Sequence, residues 1–220
     1  MRGWSPTSCF FPTPSPGGPT TPRRRAELAA LPFTEQDWLE RSETRSVTGE
    51  AGYTVLEKLW TRPAAEIITM VAGDPVGVTR SAIPAVASAT ISIRTVTGQR
   101  CADVAEQLRR WVAETISEAV DHRLTVAEET MQEPYETPQD LPALEALVAA
   151  VEDGFGVPAG RMGNAGGGPA ELLARELGCP VMFFGTGLPE DRWHDSDERV
   201  SIEMPVNGAA TLAYLWQRLA

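Results

Sequence analysis

Histidine occurs only twice in the 220 residues, and one of the two stands in a dense acidic loop. His194 lies among Asp191, Asp195, Asp197 and Glu198 in the run Gly185-Thr186-Gly187-Leu188-Pro189-Glu190-Asp191-Arg192-Trp193-His194-Asp195-Ser196-Asp197-Glu198. A neutral imidazole binds borderline metals such as zinc, and nearby carboxylates can orient the ring through its second nitrogen or help neutralise the cation. Otherwise a histidine in a polar loop is a solvated residue, and one ligand does not make a site. The apolar run 180–184 before the loop predicts a buried strand that breaks at two glycines, and a strand end is a rigid mount.

Two further groups could handle an anionic or polar substrate. The glycine run 163–168 precedes a predicted helix, so the backbone N–H groups of Ala165, Gly166, Gly167 and Gly168 could line an anion or oxyanion site; such a run is otherwise a tight turn. No Gly-Lys-Ser/Thr follows it, which excludes a nucleotide fingerprint. Arg94 stands with Ser92 on the polar side of an alternating segment, where a guanidinium can grip a carboxylate through two parallel hydrogen bonds; the alternative is a surface arginine.

The loop 185–198, of form G-x-G-L-P-[ED]-D-x-x-H-x-x-x-E, resembles the C-terminal metal-ligand loop of the aminoacylase, carnosinase and glutamate carboxypeptidase family of co-catalytic metallopeptidases. A second, independent match is G-E-A-G-Y-T-V-L-E-K-L-W-T-R-P at 49–63, similar to the segment leading into the lid sheet of dipeptidases in that family. The resemblance implies that His194 is a metal ligand, that Arg94 in I-P-A-V-A-S-A-T-I-S-I-R holds the substrate's C-terminal carboxylate, and that residues 165–168 form part of a substrate loop. It also implies that Ser81 replaces a threonine that reaches the neighbouring subunit's site. The glycine loop departs from the usual R-E-G-G-S, with Met162 or Ala165 where the glutamate falls. Resemblance spans about residues 26–220 but matches only the latter half of a family member. The H-x-D motif, bridging aspartate and Glu-Glu pair that the family's first half supplies have no counterpart here, nor does the histidine of the lid. The implied protein is therefore part of a dipeptidase or amidohydrolase acting on a dipeptide or N-acyl amino acid with two zinc ions, or manganese or cobalt. Alone it is expected to be inactive, with no catalytic residue of its own; the alternative is a non-catalytic dimerisation or binding module.

The elements that would position these residues follow from periodicity. Helices are predicted over 25–31 and 32–38, the second with Thr34 as N-cap, and over 54–60. Strands are predicted over 65–71, within 83–96, and over 123–128, with the long helix 102–120 between the last two. His122 is a structural residue favoured by the end of that helix. Past the linker prolines 134, 138 and 142 come a helix ending at Gly154 and Gly156, a short helix to Leu177, the strand 180–184 and a last helix from Pro205. Its predicted inward stripe is Val206, Ala209, Leu212, Ala213, Trp216 and Leu219; Trp60 and Trp111 are also predicted as core. The fold class is α/β. A disordered Pro/Ser/Thr-rich tail (1–25) precedes an α+β lid domain with an antiparallel sheet and helices on one face (26–135), then the C-terminal part of an α/β zinc-peptidase catalytic domain (136–220).

Composition narrows the partners. A net charge of -11 and a pI near 4.7 disfavour nucleic acid and anionic membrane surfaces. Cys9, Cys101 and Cys179 form no C-x-x-C pair, which fits reduced thiols in a cytoplasm. By resemblance, a homodimer through the lid is expected.

Overall fold

A computed structural model describes residues 20–220 apart from 74–76 and 78–80. Residues 1–19 of the expected tail, with Cys9, lie outside the described residues. The described chain is a mixed α/β fold of seven α-helices and one two-stranded antiparallel sheet, and it divides into two compact units. The first holds residues to Leu28, Pro32–Tyr135 and Gly163–Pro169; the second holds Ala29–Leu31, Glu136–Met162 and Ala170–Ala220.

The first unit opens with α1 (Pro22–Ala29), α2 (Glu35–Ser42) and α3 (Val55–Thr61). The helix expected over 25–31 thus begins at Pro22, where proline suits a first turn. Two capping boxes set the next two starts. Thr34 Oγ1 accepts from Asp37 N while Asp37 Oδ2 accepts from Thr34 N, and Thr54 and Glu57 do the same for α3. Behind α3 the buried Glu57 pairs with Arg25 at 2.8 Å. The buried Arg62 donates twice to Glu50, at 2.7 and 3.0 Å, and its guanidinium lies 4.5 Å from the Tyr53 ring centre. These contacts anchor the start of β1.

β1 (Ala64–Ala72) and β2 (Ala87–Arg94) pair antiparallel, from Ala64 opposite Arg94 to Ala72 opposite Ala87. The register slips between Ile67 and Thr69, which leaves Ile68 as a bulge residue. Ile67, Ile68, Met70 and Val71 of β1 are all exposed; on β2, where one packed and one polar face is expected, Ile91 and Ile93 are half-buried together with Ser92 between them while Ala89 is exposed, so that division does not appear. α4 (Cys101–Thr115) starts with its first N–H directed at the Glu133 carboxylate, an anion at the positive helix end. It buries Val104 and Ala105 and stops at Thr115, short of the expected 120. Adjacent β-branched Thr115 and Ile116 followed by serine are poor helix formers. Ile116 is extended, and Val120 and His122 lie outside the helix, so the expected dipole role for His122 is lost; its Nδ1 sits 3.3 Å from the Val120 carbonyl oxygen. The expected strand 123–128 does not form; a 3-10 turn occupies Glu128–Thr130.

The second unit is built on α5 (Pro142–Phe155), α6 (Ala170–Leu177) and α7 (Glu203–Leu219). Pro142 opens α5, and Gly156 caps it at φ 69, a left-handed angle that favours glycine. Gly154 instead lies inside α5, where α7 crosses: a Cβ there would meet Thr211 Oγ1 at 2.1 Å. Leu147 and Ala150 of α5 pack with Leu215 of α7, and Met182 and Phe184 close the cluster. The run 180–184 therefore supplies core side chains as expected, but it joins no sheet among the described residues; the Thr137 hydroxyl donates to the Val181 carbonyl at 2.8 Å. α7 buries Gly208, Thr211 and Leu215, not the predicted stripe. Val206, Leu212, Trp216 and Leu219 are exposed, which also removes Trp216 from the core.

Candidate functional site

His194 belongs to the second unit, on a loop whose backbone is tied to itself. Pro189 opens a 3-10 turn, Pro189–Asp191, and the buried Asp191 side chain accepts from Leu188 N at 2.7 Å. The Asp191 carbonyl accepts from Arg199 N at 2.9 Å and that of Glu190 from Arg199 Nε at 3.0 Å, which closes the loop base. Gly187 lies under the Trp193 indole; a Cβ there would fall 2.3 Å from Cζ2. Arg192, His194 and Asp197 have φ of 57, 63 and 59, left-handed values that non-glycine residues seldom adopt. A loop that keeps three of them within six positions is over-determined by its surroundings.

Three of the four carboxylates expected around His194, those of Asp191, Asp195 and Asp197, face other partners. Asp195 accepts from Ser196 N at 2.6 Å and pairs with Arg192 at 3.0 Å, and Asp197 lies 3.9 Å from Arg192. His194 itself is exposed. Among the described residues, no group of three or more His, Cys, Asp or Glu side chains could hold a metal ion. The chain has one pair of adjacent glutamates, Glu128 and Glu129, but they lie in the 3-10 turn of the first unit, where Glu128 pairs with Arg109 at 2.5 Å.

Arg94, Ser81 and residues 165–168 belong to the first unit. Arg94 ends β2, exposed, with Nη1 donating to the Ala165 carbonyl and Nε 3.8 Å from Glu66 on β1. The fold thus brings together two of the groups picked from the sequence. Ser81 is exposed ahead of β2. Asn164 Oδ1 accepts from Gly166 N at 2.8 Å. Gly163 is required by close approach, since a Cβ there would meet Trp60 at 2.3 Å; at Gly167 a Cβ would come within 3.1 Å of Gln132 Oε1, which a small shift of that side chain relieves. Gly168 faces open space. Sequence reading missed Trp60 and Gln132 as the loop's neighbours, since nothing local links positions so far apart.

The thiols differ. Burial pushes the Cys101 thiol above its ordinary value, and the nearby Glu133 carboxylate adds to this, against a lowering contact with Thr95. Cys179 is exposed.

The sequence profile of peptidase family M20/M25/M40 matches residues 21–218. This chain belongs to that family. M20-family peptidases are metal-dependent hydrolases. No curated protein matches the chain. Among solved structures, it is similar to the M20 metallo-carboxypeptidase Sso-CP2 of Sulfolobus solfataricus, with TM-score 0.78 and 16% identity over 94% of this chain and 47% of that one. Human carnosine dipeptidase 1 gives 0.74 and 17% identity over 91% and 43%. The di-peptidase Dug1p of Saccharomyces cerevisiae gives 0.70 and 16% over 91% and 42%. At these identities the likeness is one of fold. This M20 chain spans less than half the length of each of those structures, and no described helix is long and apolar enough to cross a membrane.

Proposed function

We propose that this chain is the lid and the closing part of the catalytic domain of a metal-dependent dipeptidase or related amidohydrolase, and that it does not hydrolyse peptides by itself. One observation carries the reading. A family match over residues 21–218 goes with coverage of only 42–47% of the matched structures, and the described residues group no three candidate ligands where a metal centre needs several donors. The lid is assigned to 26–135 and the catalytic part to 136–220. His194 is a metal ligand to one of two ions, zinc in the first instance. Arg94 receives a substrate carboxylate, residues 165–168 lie by the scissile group, and Ser81 reaches a neighbouring subunit. A completed centre activates water against an amide carbonyl; the described residues cannot do so without further ligands. The substrate is a dipeptide or N-acyl amino acid.

The exposed Ile67, Ile68, Met70 and Val71 of β1 support a homodimer through the lid, since a bare apolar strand is a ready pairing surface. They equally favour the second reading, a dimerisation module without catalysis. Hydrolysis of dipeptides with zinc, manganese or cobalt separates the two. The chain alone is expected to give no turnover, and a mixture with a polypeptide carrying the H-x-D and Glu-Glu half is expected to hydrolyse. Turnover by the chain alone, abolished by a chelator, would refute the incomplete-centre reading. A silent mixture that nonetheless forms the dimer would favour the module.

A further inference from the structure

A cavity of about 300 Å³ opens in the first unit between α2, α3 and the loop that joins them. Trp38 of α2 and Val55 and Leu59 of α3 form its apolar wall. The loop residues Thr44 and Ser46, with Lys58 of α3, form its polar side. His194, Arg94, Ser81 and the glycine run take no part in the lining. The volume lies at the small end of the range for small-molecule sites, which begins at roughly 300 Å³.

Charge sets this cavity apart from the rest of the molecule. The chain carries a net charge of -11, yet the one charged residue lining the cavity is a lysine. The flanking carboxylates are engaged elsewhere: Asp37 with Thr34, Glu50 with Arg62, and Glu57 with Thr54 N and Arg25. Lys58 is half-buried, and its Nζ donates to the Thr48 carbonyl oxygen at 3.1 Å. An ammonium has three donors, so two are left to point at a ligand. The stem is placed by the loop as well. Gly49 has φ 99, which favours glycine, and a Cβ there would lie 3.9 Å from Lys58 Cδ.

A half-buried cation beside an apolar wall, with no carboxylate of the fold against it, is completed by an anion from outside. An inorganic anion would leave the Trp38 side unfilled. An organic acid satisfies both sides, because its carboxylate meets the ammonium while its body packs on the indole and the aliphatic side chains.

We propose that this cavity binds a small organic acid, with its carboxylate on Lys58 and its apolar body against Trp38, Val55 and Leu59. The site stands apart from the residues of the proposed hydrolase, and its test involves no turnover. The probe is para-fluorophenylacetate, titrated against the full chain by fluorine NMR, with the neutral para-fluorophenylacetamide alongside. The acid is expected to bind with a Kd of about 1 mM or tighter, and the amide about tenfold more weakly. Lys58→Met keeps the stem and removes the charge, and is expected to weaken the acid about tenfold while leaving helical circular dichroism unchanged. The indole N–H resonance of Trp38, identified by its loss in Trp38→Phe, is expected to move along the same binding curve. Absence of any fluorine shift at about 10 mM acid would overturn the proposal. So would equal affinity for acid and amide, an unaltered Kd in folded Lys58→Met, or saturable binding that leaves the Trp38 resonance in place. Should Lys58→Met fail to fold, the comparison of acid with amide and the Trp38 resonance decide the matter on the parent chain.

Discussion

Arg94 donates a hydrogen bond to the backbone carbonyl of Ala165, 71 positions further along the chain. That bond ties the end of β2 to the glycine run and holds the Arg94 guanidinium against the loop. Removing the tie should loosen the loop without unfolding the unit. In Arg94→Ala we expect amide exchange at Asn164, Ala165 and Gly166 to quicken roughly fivefold, about 1 kcal/mol, since the bond is charge-assisted but half exposed. Exchange measured by mass spectrometry checks this, and Arg94→Lys should be intermediate because a single ammonium lacks the fork. Unchanged exchange at all three amides would mean the contact does not hold the loop.

The crossing of α5 and α7 leaves no space for a side chain at position 154. A methyl group there would sit 2.1 Å from Thr211 Oγ1 and 2.9 Å from the Asn207 carbonyl oxygen. Gly154→Ala should therefore destabilise the second unit by about 1–3 kcal/mol, although alanine is the better helix former. Adding Thr211→Ala should recover part of the loss, because one of the clashing atoms is then gone while the backbone contact remains. Urea midpoints of the two variants decide it.

These two predictions mark what the sequence made legible. Helix starts were readable because their signals are local: Thr34 with Asp37, Thr54 with Glu57, and Gly156 as a stop each act within a few residues. Which face of α7 is inward was not readable, since Leu215 and Thr211 lie on one side and Val206 and Trp216 on the other, and both sides are apolar enough to qualify. A strand is made by its neighbour as much as by its own residues, so the alternating run 123–128 and the apolar run 180–184 could not declare that they stay outside the sheet. His194 and its loop were legible as a motif. That Asp191 is buried and accepts from the Leu188 backbone N–H was not read from the sequence, where it counts only as one of the carboxylates near His194.

Acid should weaken α2 through its cap. The side-chain and backbone hydrogen bonds from Thr34 hold the Asp37 carboxyl below its ordinary value. A group whose folded value is depressed contributes stability above its unfolded value, near 3.9, and loses it as pH falls through the folded one. Asp37→Asn should therefore flatten the fall in stability below about pH 4 relative to the parent. Thermal midpoints at pH 6 and pH 2.5 test this; an equal drop in both proteins would count against the cap.

The two described thiols should part in a labelling experiment. In a Cys9→Ser background at pH 8, iodoacetamide should modify the exposed Cys179 first. Cys101 should lag by roughly tenfold or more, because only the thiolate attacks and burial keeps this thiol protonated. Its Sγ also lies 3.2 Å from the Gln132 carbonyl oxygen, a contact that favours the protonated form. Tryptic mapping over time gives both rates, and equal rates would refute the assignment.

The left-handed backbone at His194 can be weighed directly. At φ 63 a β-branched side chain crowds its own backbone, whereas asparagine and glycine tolerate the angle. His194→Val should cost about 1–2 kcal/mol in chemical denaturation while His194→Asn costs about nothing. If the two variants unfold alike, the loop relaxes freely and its shape says little. If they differ as expected, the fold maintains an unfavourable angle at an exposed residue that contributes nothing to packing. Such an angle survives only where the surrounding contacts impose it, here the Asp191 cap, the Arg199 bonds and the Trp193 ring over Gly187. Those contacts would then act as the support that holds the backbone of an exposed imidazole in place, which is what the proposed ligand role asks of this loop.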